Sequence, residues 1–402
     1  GKWLLTLAYD SDKPTGKQGR QSLLSTIDPY QFYTLYGDGS GQLYDGASGE
    51  KLYLKLERDQ YYALIGDYDT GLTQTQLSRY SRTLTGLKSE YHGEVVDFTG
   101  FASDTAQNFA RDEVQGNGTS GLYQLTHGGI VINSEKIRIE TRDRFRSEII
   151  VASRQLLRHI DYDIDYSAGT LLFREPITSR DFDFNPIFIV AEYETIGTAD
   201  KQLNAGGRIG AQFLDGRLKA GASFIRDESI SGESDLGGID AKLALTPETE
   251  LRVEVAKSEG QNTTSDLEGS AYVAEIEHHS GSLDALAYVR RQAPDFGVNQ
   301  QNGAESGTFK AGVDAQLRLG EQLAVRTQTY RQENLKSGTT RDVADAQLEY
   351  RAGLWGARAG AQLVQDEAIT GEKQESRQVT VGANRSFLDQ KLELTAQSEF
   401  SL

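Results

Sequence analysis

The chain has 402 residues, a formal net charge of −17, 37 % hydrophobic and 25 % charged residues. That acidity, without any cluster of Lys and Arg, excludes nucleic acid as a partner, and the absence of Cys excludes a disulfide framework or a thiolate metal site. No apolar run approaches the ~20 residues of a membrane-spanning helix, so a place in a membrane requires a β-barrel.

Abundant Gly (42), Tyr (19) and Phe (15) with scarce Pro (6) favour many strands. In the first hundred residues the candidate strands are 3–9, 30–36, 52–57, 61–67, 83–91 and 94–102. Trp3, Tyr9, Tyr30, Tyr36, Tyr61 and Tyr91 stand near strand ends, where interfacial girdles form in membrane barrels. Short turns at Arg58–Asp59 and His92–Gly93 alternate with long connections at 11–28 and 68–82. GDYDTG (66–71) and YGDGSGQLYDGASGE (36–50) are rich in Asp and Gly but lack EF-hand spacing, and are read as solvated loops.

Residues 103–198 differ. They are denser in charge and carry short β-runs: LYQL (122–125), IVI (130–132), KIRIE (136–140), EIIVA (148–152), LLF (171–173) and IFIVAEYE (187–194). Turn clusters GNGTSG (116–121) and SAGT (167–170) between them predict a small β-sandwich. Counting strands places its departure on the long-loop side of the flanking sheet, so it is expected to cap that sheet or to plug it. The run NSEKIRIE…RQLLRHIDYDIDYSAGTLLFREPI (133–177) resembles a β-domain of very large Gram-negative outer-membrane proteins, among them the SprA-type translocon of type 9 secretion. A looser, architectural likeness is to the fimbrial ushers, in which a β-sandwich plug is inserted between barrel strands.

From Gln202 onward the chain alternates with period two in segments of ~10–12 residues, a length that crosses a bilayer when tilted. Phe309, Ala311, Val313, Ala315 and Leu317 oppose Lys310, Asp314, Gln316 and Arg318. Short turns (214–217, 246–249, 279–282, 319–322, 351–354, 387–390) alternate with long polar loops (226–235, 257–266, 293–306, 333–340, 366–376). A soluble sandwich has no reason to gather its long loops at one end; an outer-membrane barrel does. About twelve such strands bring the expected total to about eighteen. Lys310, Asp314, Arg318, Arg326, Glu393 and Glu399 are then expected on a mixed-charge lumen wall.

Asp161, Asp163 and Asp165 alternate with Tyr162, Ile164 and Tyr166. On a strand, successive carboxylates stand about 6.6–7 Å apart, too far for one strand to chelate an ion alone. The leading reading is a half-wet strand paired with Arg158 or Arg174; the lesser one is a calcium site that recruits Asp181, Asp183 and Asn185. The five His show no zinc spacing and no GxSxG elbow is present, so neither an enzyme nor a cofactor is expected.

The expectation is therefore an all-β, antiparallel up-and-down transmembrane barrel in the bacterial outer membrane. Residues 1–102 and 199–402 supply its strands, and 103–198 a β-sandwich plug or cap. Its expected function is a channel or translocation pore, with outer-membrane lipid and other envelope or secreted proteins as partners; the alternative is a non-transporting surface scaffold or adhesin. The start at Gly1 suggests a mature or excised chain, and the ending Phe400–Ser401–Leu402 suggests either a chain that continues or a barrel closed with other subunits.

Overall fold

The computed structural model describes residues 2–9, 33–35, 40–42, 52–105, 108–132, 134–142, 150–181, 185–195, 202–228, 233–261, 266–298, 300–301, 305–387 and 392–401. β1 (Leu4–Tyr9) is followed by a separate hairpin of β2 (Tyr33–Leu35) and β3 (Ser40–Gln42). β4 (Leu52–Arg58), β5 (Tyr61–Asp69), β6 (Thr83–His92) and β7 (Val96–Thr105) continue the large sheet. The insert holds β8 (Asn108–Gln115), β9 (Tyr123–Gln124), β10 (Lys136–Arg142), β11 (Ile150–Gln155), β12 (Tyr162–Asp165), β13 (Thr170–Phe173) and β14 (Ile187–Thr195).

The large sheet resumes with β15 (Gln202–Phe213), β16 (Leu218–Asp227), β17 (Ser234–Thr246) and β18 (Thr249–Gln261). β19 (Asp266–His279), β20 (Leu283–Gln292), β21 (Thr308–Arg318) and β22 (Leu323–Asn334) follow. β23 (Thr340–Ala352), β24 (Trp355–Glu367), β25 (Lys373–Phe387) and β26 (Leu392–Ser401) complete it. Seventeen strands thus form one sheet. Its antiparallel register runs β1–β4–β5–β6–β7, crosses to β15, and then meanders to β26. Among the described residues no register joins β1 to β26, so these two are its ends.

The count is one below the sequence expectation, and the difference lies at 30–36. Its described part pairs locally with β3 rather than with the large sheet; three residues are too few to span a bilayer. Tyr30, Tyr36 and most of 36–50 lie outside the described residues. GDYDTG also departs from expectation: Gly66–Asp69 belong to β5, and Tyr68 and Thr70 are buried. Turn-like composition yields there to packing against the sheet interior.

Alternation gives the sheet two unlike faces. Leu203, Ile209, Phe224, Ile239, Val255, Ile276, Val313, Leu363 and Phe400 are exposed on one. The other carries Asn204, Ser223, Asp227, Glu254, Glu275, Lys310 and Gln328, all buried. A soluble sheet hides its apolar face; this one displays it, as a strand wall facing lipid must. Trp3, Tyr9, Tyr91, Tyr350 and Trp355 are exposed on the same apolar face, near strand ends. This is an all-β chain of the outer-membrane barrel type.

The insert is two small antiparallel sheets. One has the order β11–β10–β14–β8 and the other β12–β13–β9. Ile137, Ile189, Ala191 and Tyr193 of the first pack with Tyr123, Tyr162, Leu171 and Phe173 of the second in one apolar core. That core is the insert's own, which is why it folds as a sandwich beside the large sheet. β7 extends to Thr105, and the sheet resumes at Gln202 opposite it.

Candidate functional site

Two connections at the long-loop end turn into the curve of the large sheet. Segment 70–82 places Leu72, Leu77 and Tyr80 in a buried cluster that draws on β4, β5 and β7 from one side and on Ile225, Leu236, Ala256 and Val273 from the other. A single cluster spanning those strands requires the sheet to wrap around the segment. Phe296 and Val298, from the β20–β21 connection, join it. Polar atoms fix the crossing: Glu254 accepts from the amides of Gln76 (2.9 Å) and Leu77 (2.9 Å). Gln301 Nε2 donates to the carbonyls of Leu77 and Arg79.

Arg82 ends the segment and ties three parts of the molecule together. Its guanidinium donates to Glu194 of the insert (2.9 and 2.6 Å), to Asp227 of β16 (2.9 Å) and to Asn204 of β15 (3.3 Å). Tyr80 donates to the same Asp227 oxygen at 2.6 Å. All five side chains are essentially inaccessible. Burial alone would lower the Arg82 pKa, but Glu194, Tyr80 and Asp227 outweigh it and hold it well above the ordinary value. Burial beside Asp227 pushes the Tyr80 hydroxyl up, so it stays a donor.

The insert turns its charged sheet face toward this interior. Register brings Arg111 and Glu113 of β8, Glu192 of β14, and Arg138, Glu140 and Arg142 of β10 onto one face. Arg138 pairs with Glu192 (2.9 Å) and Glu140 (2.6 Å), and Arg142 with Glu140 (2.7 Å) and Glu113 (2.8 Å). Burial would raise Glu113, yet hydrogen bonds and charge from Arg142 and Arg111 lower it to about 2. Lys136 reaches Asp69 of β5, and Arg111 the carbonyl of Gln300 (3.5 Å), so this face contacts the large sheet directly.

Between the two inward connections, the insert and strands β18 to β20 lies a cavity of about 400 Å³. A larger concavity of about 830 Å³ lies against the apolar face, lined by Leu251, Ile276, Val289, Val313 and Leu363.

Of the expected lumen residues, Lys310, Asp314, Arg318 and Arg326 fall on the polar face. Lys310 is buried with its ammonium 4.1 Å from the Tyr330 ring centroid, Arg318 pairs with Asp284, and Arg326 lies 3.6 Å from Glu349. The side chains of Glu393 and Glu399 lie outside the described residues.

The aspartate ladder is dispersed among local partners. Asp161 accepts from Arg154 (3.2 Å) and the Leu157 amide (2.8 Å). Asp163 pairs with Arg174 (2.7 Å) and His159 (3.1 Å). Asp165 caps the turn, accepting from Ser167 and Ala168, and these bonds lower its pKa. Asp181 binds the amide and side chain of Asn185; Asp183 lies outside the described residues. Among the described residues no three His, Asp or Glu groups gather to hold a metal ion. Arg158, expected beside the ladder, instead approaches Glu135 (3.7 Å) and Tyr166.

Sequence reasoning missed Arg82, Tyr80 and the whole inward course of 70–82. The available signal was SRYSR (78–82), two cations and a Tyr in a connection that also carries Leu72 and Leu77.

No family model matches the chain, and no curated protein matches it. Among solved structures it is similar to Pseudomonas aeruginosa OccK11 (OpdR), at TM-score 0.38 and 8% identity over 87% of this chain and 80% of that one. Acinetobacter baumannii OccAB3 gives 0.36 and 12%, over 87% and 77%. The P pilus usher (PapC) translocation pore gives 0.36 and 10%, over 87% and 77%. These overlaps are loose, and the barrel assignment stands on this chain's own register and faces.

Proposed function

We propose that this chain is an outer-membrane channel whose interior is obstructed by the insert together with segments 70–82, 293–298 and 300–301. The observation that carries the reading is the buried Arg82 network, which fastens the insert and an inward connection to the wall. A charged inner face compatible with water supports it. The insert then acts as a plug, with lipid against the apolar face and a secreted or envelope molecule as the cargo. The likeness of 133–177 to the β-domain of SprA-type translocons points the same way.

Planar-bilayer conductance tests it. The full chain is expected to conduct weakly, and a chain lacking 108–195, with the flanks rejoined through a short linker, to conduct several-fold more. Silence in both forms overturns the channel and leaves a scaffold. One observation favours that second role: β11 is an edge strand exposed along its whole length, with Ile150 and Val151 open to pairing.

A further inference from the structure

We propose that the 400 Å³ interior cavity is a binding site for a small oxyanion, with the Arg79 guanidinium and the Gln300 amide nitrogen as its donors. Five arginines line it: Arg79, Arg111, Arg142, Arg252 and Arg290. Four have carboxylates within 4 Å: Arg111 has Glu113 and Glu192, Arg142 has Glu113 and Glu140, Arg290 has Glu275 and Glu305, and Arg252 has Glu250 and Glu275. Arg79 is different. Among the described residues its guanidinium makes neither an ion pair nor a hydrogen bond, although its backbone carbonyl is held by Gln301. Burial and the neighbouring charge of Arg138 both disfavour its cation, with Arg111 adding to the repulsion. Glu192 and Glu140 attract it from a distance but are engaged by Arg138.

Gln300 is the second donor. It is 3% exposed, and its Oε1 accepts from the Ser81 amide at 2.6 Å, which fixes the orientation of the side-chain amide. Its Nε2 is buried and has no acceptor. A buried amide N–H without an acceptor costs roughly 1–3 kcal/mol. Both residues line one cavity, and neither of these donor groups has an acceptor among the described residues. A cation satisfies neither; a carboxylate or phosphate satisfies both, because a guanidinium fork matches two oxygens. The volume, within the ~300–1,000 Å³ typical of ligand sites, fits an anion of a few carbons.

The site is tested by binding, so it stands apart from conduction. The full chain in detergent is titrated calorimetrically with succinate and with inorganic phosphate at constant ionic strength, as wild type, Arg79→Gln and Gln300→Glu. The expected result is saturable, near-stoichiometric binding of one or both probes by wild type, weakened at least tenfold in each variant. Gln300→Glu retains the acceptor for Ser81 and replaces the amide donor with a carboxylate that repels an anion, so it covers the case in which Arg79→Gln does not fold. Hydrogen exchange of residues 73–82 in the wild type, expected to slow with the bound probe, is independent of both variants. Absence of saturable binding by wild type overturns the site, showing a cavity filled by water only. Unchanged affinity in a folded variant, or unaltered exchange at saturation, also overturns it. A chain that conducts without binding refutes the anion site alone; one that binds without conducting refutes the channel alone.

Discussion

Arg82 is fully desolvated between Glu194 and Asp227, and two carboxylates share one guanidinium. Removing one partner of such a group leaves the other charges buried, at about 3–5 kcal/mol. Arg82→Ala is therefore expected to loosen the insert from the sheet, read as faster protease cleavage near 103–107 and 196–201 with the barrel's gel mobility unchanged. Glu113 offers a pH-dependent counterpart. Its pKa is lowered from 4.5 to about 2, so its stabilisation is complete above about pH 4.5 and fades as pH falls toward 2. Glu113 is partly solvated, which limits the effect to about 1–2 kcal/mol. In Glu113→Gln, hydrogen exchange of β10 should be faster than wild type at neutral pH, with the gap closing toward pH 2. Neither residue was legible in the sequence: Arg82 is one of 42 Lys and Arg residues, and its partners lie 112 and 145 positions away. The ladder at 161–165 was legible in part: Asp163 and Asp165 lie on β12 and Asp163 meets Arg174, whereas Asp161 precedes the strand and Arg158 turns to Glu135.

The hairpin β12–β13 shows what local chemistry decides. Asp165 faces Thr170, and Gly169 has φ +69° with its amide bonded to the Asp165 carbonyl. A Cβ at Gly169 would come within 2.3 Å of the His127 carbonyl oxygen. Gly169→Ala is expected to cost about 2 kcal/mol or more, through backbone strain and that clash. Hydrogen exchange across Tyr162–Phe173 should report it while β15–β26 stay unaffected. The sequence placed this turn at 167–170, since Asp, Ser and Gly act over a few residues. It did not reveal that 70–82 runs inward, because Leu72 and Leu77 find their neighbours on strands far along the chain.

At the scale of the molecule, the period-two pattern and the alternation of short and long connections were enough to describe the sheet, since both follow from strand geometry and membrane sidedness. What escaped them is the content of the interior, which depends on side chains meeting across the curve. The face assignment has a direct check. Ile239→Lys on the apolar face should cost about 2–4 kcal/mol on folding into bilayers if it lies near mid-depth, whereas Gln316→Lys on the polar face should change stability by less than about 0.5 kcal/mol. Equal costs would refute the face assignment, and a larger cost for Gln316→Lys would reverse it.

The pairing of β7 with β15 bears on how such a sheet is built. Thr105 and Gln202 are register partners although 96 residues separate them. An unstructured connection of that length would slow the search for the next strand through loop-closure entropy. A domain with its own core, entered at Asn108 and left at Thr195 on adjacent strands, brings the two ends together in advance. Once the insert has folded, the assembling wall meets a short link, and strand order can propagate past it as if β7 and β15 were consecutive.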